Sequence, residues 1–259
     1  MEVTLHTPDT IYSPRHLPSW LLLAAAAGTV NGVAFLMCEQ FVTHVTGIVT
    51  RLGLEWHTIG ILAEYAAVVI CFILGAASSV VAIQARAARG KRPRWATPLI
   101  SVSLILIAVA ALGHRGAFGR FGGTLAADPP PAILLSLLAF AMGLQNAAVA
   151  STTGLAVRTT HLSGPATDLG IHLGTAVLTA GSMRSAALRG AALRGGKLIS
   201  FAFGAALSLP LTQASGFLAL LAPAGFVLLA AALSFTTNWS PSDFRPNTRS
   251  HSTDILNSP

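Results

Sequence analysis

The sequence predicts an all-α membrane protein with about six transmembrane helices, arranged as two inverted three-helix repeats. Three observations lead to this prediction. The composition is far more apolar than that of a soluble protein, since 53% of the 259 residues are hydrophobic, 10% are charged and mean hydropathy is +0.67. Six apolar runs reach or approach the length of a bilayer crossing, and one polar motif occurs twice.

The six apolar runs predict the helices in order, because about 20 residues span the hydrocarbon core. They cover residues 20–37, 59–83, 97–112, 133–150, 198–211 and 217–235, of which the third and fifth are short. We expect a single transmembrane domain at 19–235, with repeat one at 19–113 and repeat two at 131–235. The polar ends, 1–18 and 236–259, lack a periodic apolar face and are expected to be disordered tails.

The positions of lysine and arginine predict the orientation, because these residues resist translocation. Thirteen of the sixteen lie in the tails and in the second-to-third and fourth-to-fifth connections. The other three are Arg51, Arg115 and Arg120. We therefore expect a multi-pass protein of the plasma (inner) membrane with both termini in the cytoplasm. The formal net charge of +7 is then a topology signal and does not indicate a nucleic-acid partner.

The polar motif at 43–53 recurs at 160–170, with every position displaced by 117 residues. The correspondence extends beyond the motif, to 28–31 with 143–146 and to 72–78 with 201–207. Because an odd number of crossings separates the two copies, the motif should meet the membrane from opposite sides. This layout is typical of transporters and channels.

The second copy gains about twelve residues after its motif. The inserted stretch, 184–197, alternates arginine with alanine, leucine and glycine. It fits a short basic helix on the anionic cytoplasmic leaflet. An ordinary solvated basic loop fits equally well.

Each motif contains a Thr-Gly or Ser-Gly pair followed by an apolar run, which predicts a helix start. Thr46 and Ser163, next to Gly47 and Gly164, could cap the first amides of the new helices. Each copy would open a broken or re-entrant half-helix, since irregular backbone at membrane depth must be buried in protein or line a watery cavity. Two helix N-termini near the midplane favour an anionic or strongly polar ligand. Alternatively, the small residues only let helices pack closely.

Three amide side chains lie late in apolar runs, where an unpaired polar group is costly. They are Asn31, Gln145 and Asn146. Hydrogen bonds between the two halves would satisfy them, and so would a polar cavity. We expect them to do both.

Few charged residues lie in or near the predicted membrane segments. Arg51 and Asp168 occupy equivalent positions in the two copies. They predict a cross-repeat ion pair, separate charges that a moving site engages in turn, or side chains that snorkel to the interface. Arg158 precedes the second motif. Glu64 is a candidate for proton coupling, because burial favours the neutral carboxyl group, and an interfacial position is the alternative.

Thr43, Thr160 and the two motif histidines, His44 and His161, complete the candidate substrate-binding set. The histidines are expected to hydrogen-bond to backbone freed by the helix breaks. No cysteine or carboxylate lies near them at metal-ligand spacing, so no metal or other cofactor is expected. The two cysteines are predicted to be free thiols.

These residues resemble a known family. The first half has an asparagine-containing helix followed by Thr-His-Val-Thr-Gly, and the second has Gly-Leu-Gln-Asn followed by Val-Arg-Thr-Thr-His-Leu-Ser-Gly and Thr-Asp-Leu. This combination resembles the bacterial YoaK family, a set of integral membrane proteins known as domain of unknown function 1275, over about 20–235. The resemblance implies a membrane location and this architecture, without a substrate or reaction. The chain differs from the usual pattern at His161, where an aromatic residue such as tyrosine is expected, and at Pro165.

The sequence thus favours a transporter or channel for a small polar or anionic solute. Its partners would be the lipid bilayer and that solute. The alternative is a non-transporting membrane scaffold or partner subunit, in which the motifs only pack helices. HExxH, GxSxG and paired intramembrane aspartates do not occur, so an enzyme is not expected. The oligomeric state is not indicated.

Overall fold

The computed structural model describes residues 5–121, 132–155, 157–160 and 162–235. In these ranges the regular structure is helical, without a β-strand. The helices are α1 (Pro8–Ile11), α2 (Leu17–Cys38), α3 (Val45–Leu54), α4 (Ile59–Ala87), α5 (Thr97–His114), α6 (Ala132–Thr152), α7 (Ser163–Leu178), α8 (Gly181–Ser215), a 3-10 helix (Gly216–Leu220) and α9 (Leu221–Ser234).

The six apolar runs are confirmed as helices. Within the described ranges, α2, α4, α5, α6 and the stretch from α8 through α9 are long and apolar enough to cross a membrane. The two motifs each begin a further helix, α3 and α7, between these long helices. The regular structure of the described ranges is therefore helical throughout, with helices of the length and composition that membrane proteins have.

The fifth helix is much longer than its apolar run. α8 has 35 residues and includes the whole inserted stretch at 184–197, so the loop interpretation of that stretch is wrong. Alanine and leucine on one side of this stretch, among them Ala187, Ala191 and Leu193, are buried, and α8 packs against α7. Its alanines and leucines are good helix formers, and burial of one side against α7 offsets the weak helix propensity of Gly190, Gly195 and Gly196.

Glycines allow the two main helix pairs to pack backbone to backbone. α2 packs against α8, and α4 packs against α6. A Cβ atom at Gly28 on α2 would overlap the carbonyl oxygen of Phe201 on α8, and a Cβ atom at Gly143 on α6 would overlap the carbonyl oxygen of Phe72 on α4. Gly28 corresponds to Gly143 in the repeat, and Phe72 corresponds to Phe201. Each pair thus joins a helix of one half to a helix of the other through the same contact.

The N-terminal segment is packed, which corrects the prediction of a disordered tail at 1–18 for the residues that the structure describes. The amides of Leu5 and His6 donate to the carbonyl of Thr152 at 3.0 and 2.9 Å, and the indole of Trp20 donates to the carbonyl of Ile11 at 3.1 Å. His6 is 3% exposed, and burial, followed by the charge of neighbouring His16, lowers its pKa to about 4. Aromatic contacts and backbone hydrogen bonds hold the segment without apolar periodicity. The C-terminal tail predicted at 236–259 lies outside the described residues.

Candidate functional site

The two motifs lie where the chain leaves one helix and starts another. α2 ends at Cys38 and α3 begins at Val45, whereas α6 ends at Thr152 and α7 begins at Ser163. Glu39 in the first break and Leu155 in the second have φ angles of 51° and 65°, in the left-handed region. The predicted helix starts are therefore confirmed to within two residues, since the N-caps are His44 and Leu162 where Thr46 and Ser163 were expected, and irregular backbone precedes both.

The predicted capping role of Thr46 and Ser163 is wrong. Neither helix has a side-chain hydrogen bond at its N-cap, because Thr46 and Ser163 already lie inside the first turn. Their carbonyl oxygens instead accept hydrogen bonds from Thr50 Oγ1 at 2.9 Å and Thr167 Oγ1 at 3.1 Å, respectively. Each bond lies within one helix, and the two bonds occupy equivalent positions in the two repeats.

Two equivalent asparagines hold the irregular segments in place. Asn31 Oδ1 accepts from the amide of Thr43 at 3.2 Å and from its Oγ1 at 3.1 Å. Asn146 Oδ1 accepts from the amides of Thr159 and Thr160 at 3.0 and 3.3 Å. The asparagines thus satisfy freed backbone donors of their own halves, as a broken helix requires. The expectation that they also join the two halves to each other is wrong for these two residues.

Gln145 is the amide that joins the halves. Its Nε2 donates to the carbonyl of Leu23 on α2 at 2.9 Å and to Thr159 Oγ1 at 3.2 Å, and the side chain is fully buried. It does not line the cavity described next. Its role in this structure is therefore to connect α6 to α2.

A cavity of about 490 Å³ lies between the two breaks and the helices of both halves. We call it the shared cavity. It is lined by Asn31, Phe41, Thr43, His44, Val45, Thr46, Phe72, Asn146, Arg158, Thr160, Leu162, Ser163 and Phe201. The structure thus brings together eight residues of the predicted binding set, namely Asn31, Thr43, His44, Thr46, Asn146, Arg158, Thr160 and Ser163.

The lining follows the repeat. Five pairs of equivalent residues line the shared cavity with the same or similar side chains: Asn31 with Asn146, Thr43 with Thr160, Val45 with Leu162, Thr46 with Ser163, and Phe72 with Phe201. His44 corresponds to His161, which lies outside the described residues. The cavity therefore forms where the two halves meet.

One pair of equivalent residues in the lining differs in charge, because Arg158 in the second half corresponds to Phe41 in the first. The guanidinium is always charged at physiological pH. Of the described residues that line the cavity, none is acidic. α3 and α7 also begin at the cavity wall, with Val45 and Ser163 in the lining, so two partially positive helix ends lie there. The charge distribution of the cavity is thus positive.

The cross-repeat ion pair predicted for Arg51 and Asp168 is wrong. Arg51 Nη1 donates to the hydroxyl of Tyr65 at 2.9 Å, and its guanidinium lies 5.9 Å from the ring centroid. Asp168 Oδ2 lies 3.6 Å from Nε of Arg194. Tyr65 and Arg194 are 129 residues apart and correspond in the repeat. The two charges therefore belong to equivalent local contacts, one between α3 and α4 and the other between α7 and α8.

The remaining predicted residues lie outside the shared cavity. Gly47 contacts the ring of His44, since an added Cβ atom would lie 2.5 Å from Nδ1. Gly164 and Asp168 line a smaller neighbouring cavity. Glu64 is half-buried on α4 and is not part of the lining. Within the described part of the chain, no group of three or more histidine, cysteine or acidic residues is placed to hold a metal ion, and both cysteines are free.

The aromatic walls of the cavity were not predicted from the sequence. Phe72 and Phe201 begin the repeated stretches at 72–78 and 201–207, so the repeat did contain a signal for them. Their apolar side chains resembled ordinary membrane-facing residues. Their place in the cavity depends on the packing of α4 and α8, which a motif alone does not specify.

The comparisons with known proteins agree with the resemblance drawn from the motifs. Neither the curated proteins nor the solved structures gave a significant match to the chain. The family model described as protein of unknown function (DUF1275) matches residues 19–233, which include both breaks and every residue of the shared cavity. The chain therefore belongs to the DUF1275 family.

Proposed function

We propose that this protein is a transporter or channel for a small anion, which binds in the shared cavity. The observation that supports the proposal best is the composition of the cavity wall. Equivalent residues of both halves supply amide and hydroxyl groups, and Arg158 adds a positive charge without an acidic neighbour in the described lining. Such a wall provides hydrogen-bond donors and an electrostatic potential suited to an anion.

The positions of the starts of α3 and α7 at the cavity wall support the same substrate class. Helix N-termini bind anions because their first amides lack helical acceptors and the helix dipole is positive there. Transporters built from repeats commonly place such helix ends at the substrate. The residues in this role are Val45 and Thr46 in one half and Ser163 in the other.

We further propose that the two halves are inverted in the membrane, with α3 and α7 as re-entrant half-helices that enter from opposite faces. The helix-to-helix contacts at Gly28 and Gly143 support this proposal, because they relate the halves by exchange of equivalent partners. The distribution of basic residues supports a location in the plasma membrane with both termini in the cytoplasm. Glu64 stays a prediction for proton coupling, since it lies outside the cavity wall.

The volume of the cavity and its aromatic walls suit a small organic or inorganic anion. Ligand cavities of about 300–1,000 Å³ hold small molecules, and the shared cavity is about 490 Å³. Phe72 and Phe201 add apolar surface to the cavity that the amides of Asn31 and Asn146 also line. An anion with a short apolar part would use both kinds of surface.

Thiol labelling tests the proposal. Thr46 and Ser163 are exposed to the shared cavity, so each can be replaced by cysteine in a background with Cys38→Ala and Cys71→Ala. We expect an anionic methanethiosulfonate reagent to modify both positions faster than a cationic one of similar size, once rates are normalised to free cysteine. The positive wall is the reason, and about a tenfold preference corresponds to 1.4 kcal/mol.

Sidedness and a charge control complete this experiment. In sealed vesicles of known orientation, modification of both cysteines only from the same face would contradict the inverted arrangement. Adding Arg158→Gln should remove the preference for the anionic reagent, whereas Arg189→Gln on the exposed part of α8 should leave it unchanged. Faster reaction of the cationic reagent in the parent protein would contradict the anion assignment.

A further inference from the structure

We propose a second oxyanion site, for a phosphate or carboxylate group, in the smaller cavity beside the shared one. This cavity has a volume of about 210 Å³, lies between α7, α8 and the break after α6, and is lined by Arg158, Pro165, Asp168, Arg194 and Lys197 among others. We call it the basic pocket. The proposal concerns binding alone, so it stands whether or not the shared cavity conducts a solute.

Lys197 is the residue that most needs an anion. It is 3% exposed, and its ammonium group donates to the carbonyl of Arg158. Among the described residues no carboxylate lies within 4.0 Å of its ammonium group. The charge of Asp168 acts on Lys197 from a greater distance, but this carboxylate lies 3.6 Å from Nε of Arg194. An ammonium has three donors, and burial of a charge without a counter-ion costs several kcal/mol. A bound oxyanion would supply the missing counter-charge and further acceptors.

The repeat provides an internal comparison for the basic pocket. Its counterpart in the first half is a cavity of only about 10 Å³, lined by Gln40, Phe41, Ile48, Tyr65, Val68 and Leu135. Phe41 stands in place of Arg158, Tyr65 in place of Arg194, and Val68 in place of Lys197. In the first half, where these three cations are absent, the same helix packing therefore leaves almost no cavity.

The difference between the two counterparts points to binding. If the residues of the basic pocket served only to pack α7 on α8, they would not need to carry charges that their counterparts in the first half lack. They would also not need to leave an open cavity between the helices. Snorkelling to an interface does not explain Lys197 either, since its side chain is almost completely buried. Three cations around an open space are an arrangement that recognises an oxyanion.

Arg158 lines both the basic pocket and the shared cavity. An anion in the basic pocket would therefore contact the same guanidinium as an anion in the shared cavity. The basic pocket is placed to receive an anion next to the shared cavity, and the first half offers no equivalent space of that size. Free anions and the phosphate of a lipid headgroup share this chemistry.

Protection from alkylation tests the site directly. Leu155 is 60% exposed and lines the basic pocket but not the shared cavity. Leu155→Cys, with both native cysteines replaced by alanine, is incubated in phosphatidylcholine nanodiscs with N-ethylmaleimide, a neutral reagent, and increasing inorganic phosphate. We expect phosphate to slow alkylation of the cysteine at 155.

Three variants separate binding from folding. Lys197→Met should raise the phosphate concentration for half-protection by about tenfold, since a charge-assisted contact of at least 1.4 kcal/mol is lost. Asp168→Asn should lower it, because a repelling carboxylate is removed, and a misfolded protein would not show this gain. Arg189→Met, with the same charge change on an exposed face of the same helix, should stay within about twofold of the parent.

Repeating the alkylation experiment in nanodiscs of an anionic lipid identifies the source of the anion. If phosphatidylglycerol nanodiscs protect the cysteine at 155 without added phosphate, and Lys197→Met removes that protection, the occupant is a lipid headgroup. Absence of protection in both lipids, or protection that Lys197→Met leaves unchanged, would overturn the proposal. Protection together with a failed labelling test in the shared cavity would remove the proposed function alone.

Discussion

Gly143→Ala is expected to lower the melting temperature of the purified protein by about 10 °C. The new Cβ atom would overlap the carbonyl oxygen of Phe72, which belongs to the backbone of α4 and has no rotamer by which to move away. The helices α4 and α6 must then separate, and overpacking of this kind costs about 3 kcal/mol, which corresponds to roughly that change in melting temperature for a domain of this size. Fluorescence-monitored thermal unfolding in detergent measures the change.

The repeat and the open glycines supply matched controls for this substitution. Gly28→Ala should be equally destabilising, because Gly28 meets the carbonyl of Phe201 in the equivalent contact between α2 and α8. Gly60→Ala and Gly174→Ala should not destabilise the protein, since no atom lies within 4 Å of an added Cβ at either position and alanine favours helix more than glycine does. Equal melting temperatures for Gly143→Ala and Gly174→Ala would show that the helices are not in backbone contact.

Asn146→Ala is expected to destabilise the second break and the cavity wall that it forms. The substitution leaves the amides of Thr159 and Thr160 without their acceptor, and each unsatisfied donor costs about 1–3 kcal/mol when water does not replace the lost bond. We expect a loss of about 2 kcal/mol in unfolding free energy, since the side chain is half-buried and water reaches part of it. Asn31→Ala should have a similar effect at Thr43.

Asn146→Asp separates the structural role of this residue from its role in binding. An aspartate keeps an oxygen that can accept from both amides. The melting temperature of Asn146→Asp should therefore be closer to that of the parent than the melting temperature of Asn146→Ala is. When ionised, it also adds a negative charge to the shared cavity and should weaken anion binding there. If both variants unfold at the temperature of the parent, Asn146 does not support the break.

The repeated motif made much of the candidate site predictable. Thr43, Thr46 and Asn31 were recognisable because each has an identical or similar polar residue at the equivalent position of the second half, and repetition of polar residues in an apolar chain is a strong local signal. The helix starts were predictable for the same reason. Both kinds of information are local in sequence, so they did not depend on how the helices pack.

Contacts between distant residues were less predictable. Equivalent positions suggested that Arg51 and Asp168 meet, yet equivalence in a repeat implies similar surroundings and not mutual contact. Each instead pairs with a neighbouring helix of its own half, at Tyr65 and Arg194. The burial of Lys197 was likewise hidden, because a lysine before an apolar run resembles an ordinary topology signal.

The packed structure of the N-terminal segment also depends on tertiary contacts. Residues 5–16 lack a periodic apolar face but are held by backbone hydrogen bonds to Thr152 and by contacts around Trp20. α8 shows the converse case, because its basic first part forms a helix through local propensity and through burial of one face against α7. Composition alone does not separate such segments from tails and loops.

Anion flux in proteoliposomes tests most directly whether the two halves build one anion site around Arg158. Vesicles containing the parent protein, Arg158→Gln or the control Arg189→Gln are loaded with a panel of small inorganic and carboxylate anions, and efflux is measured against protein-free vesicles. We expect efflux of at least one anion by the parent and the control, and a rate lower by about tenfold or more for Arg158→Gln. Efflux that is the same for Arg158→Gln and the parent, or no efflux of any anion above that of protein-free vesicles, would contradict it.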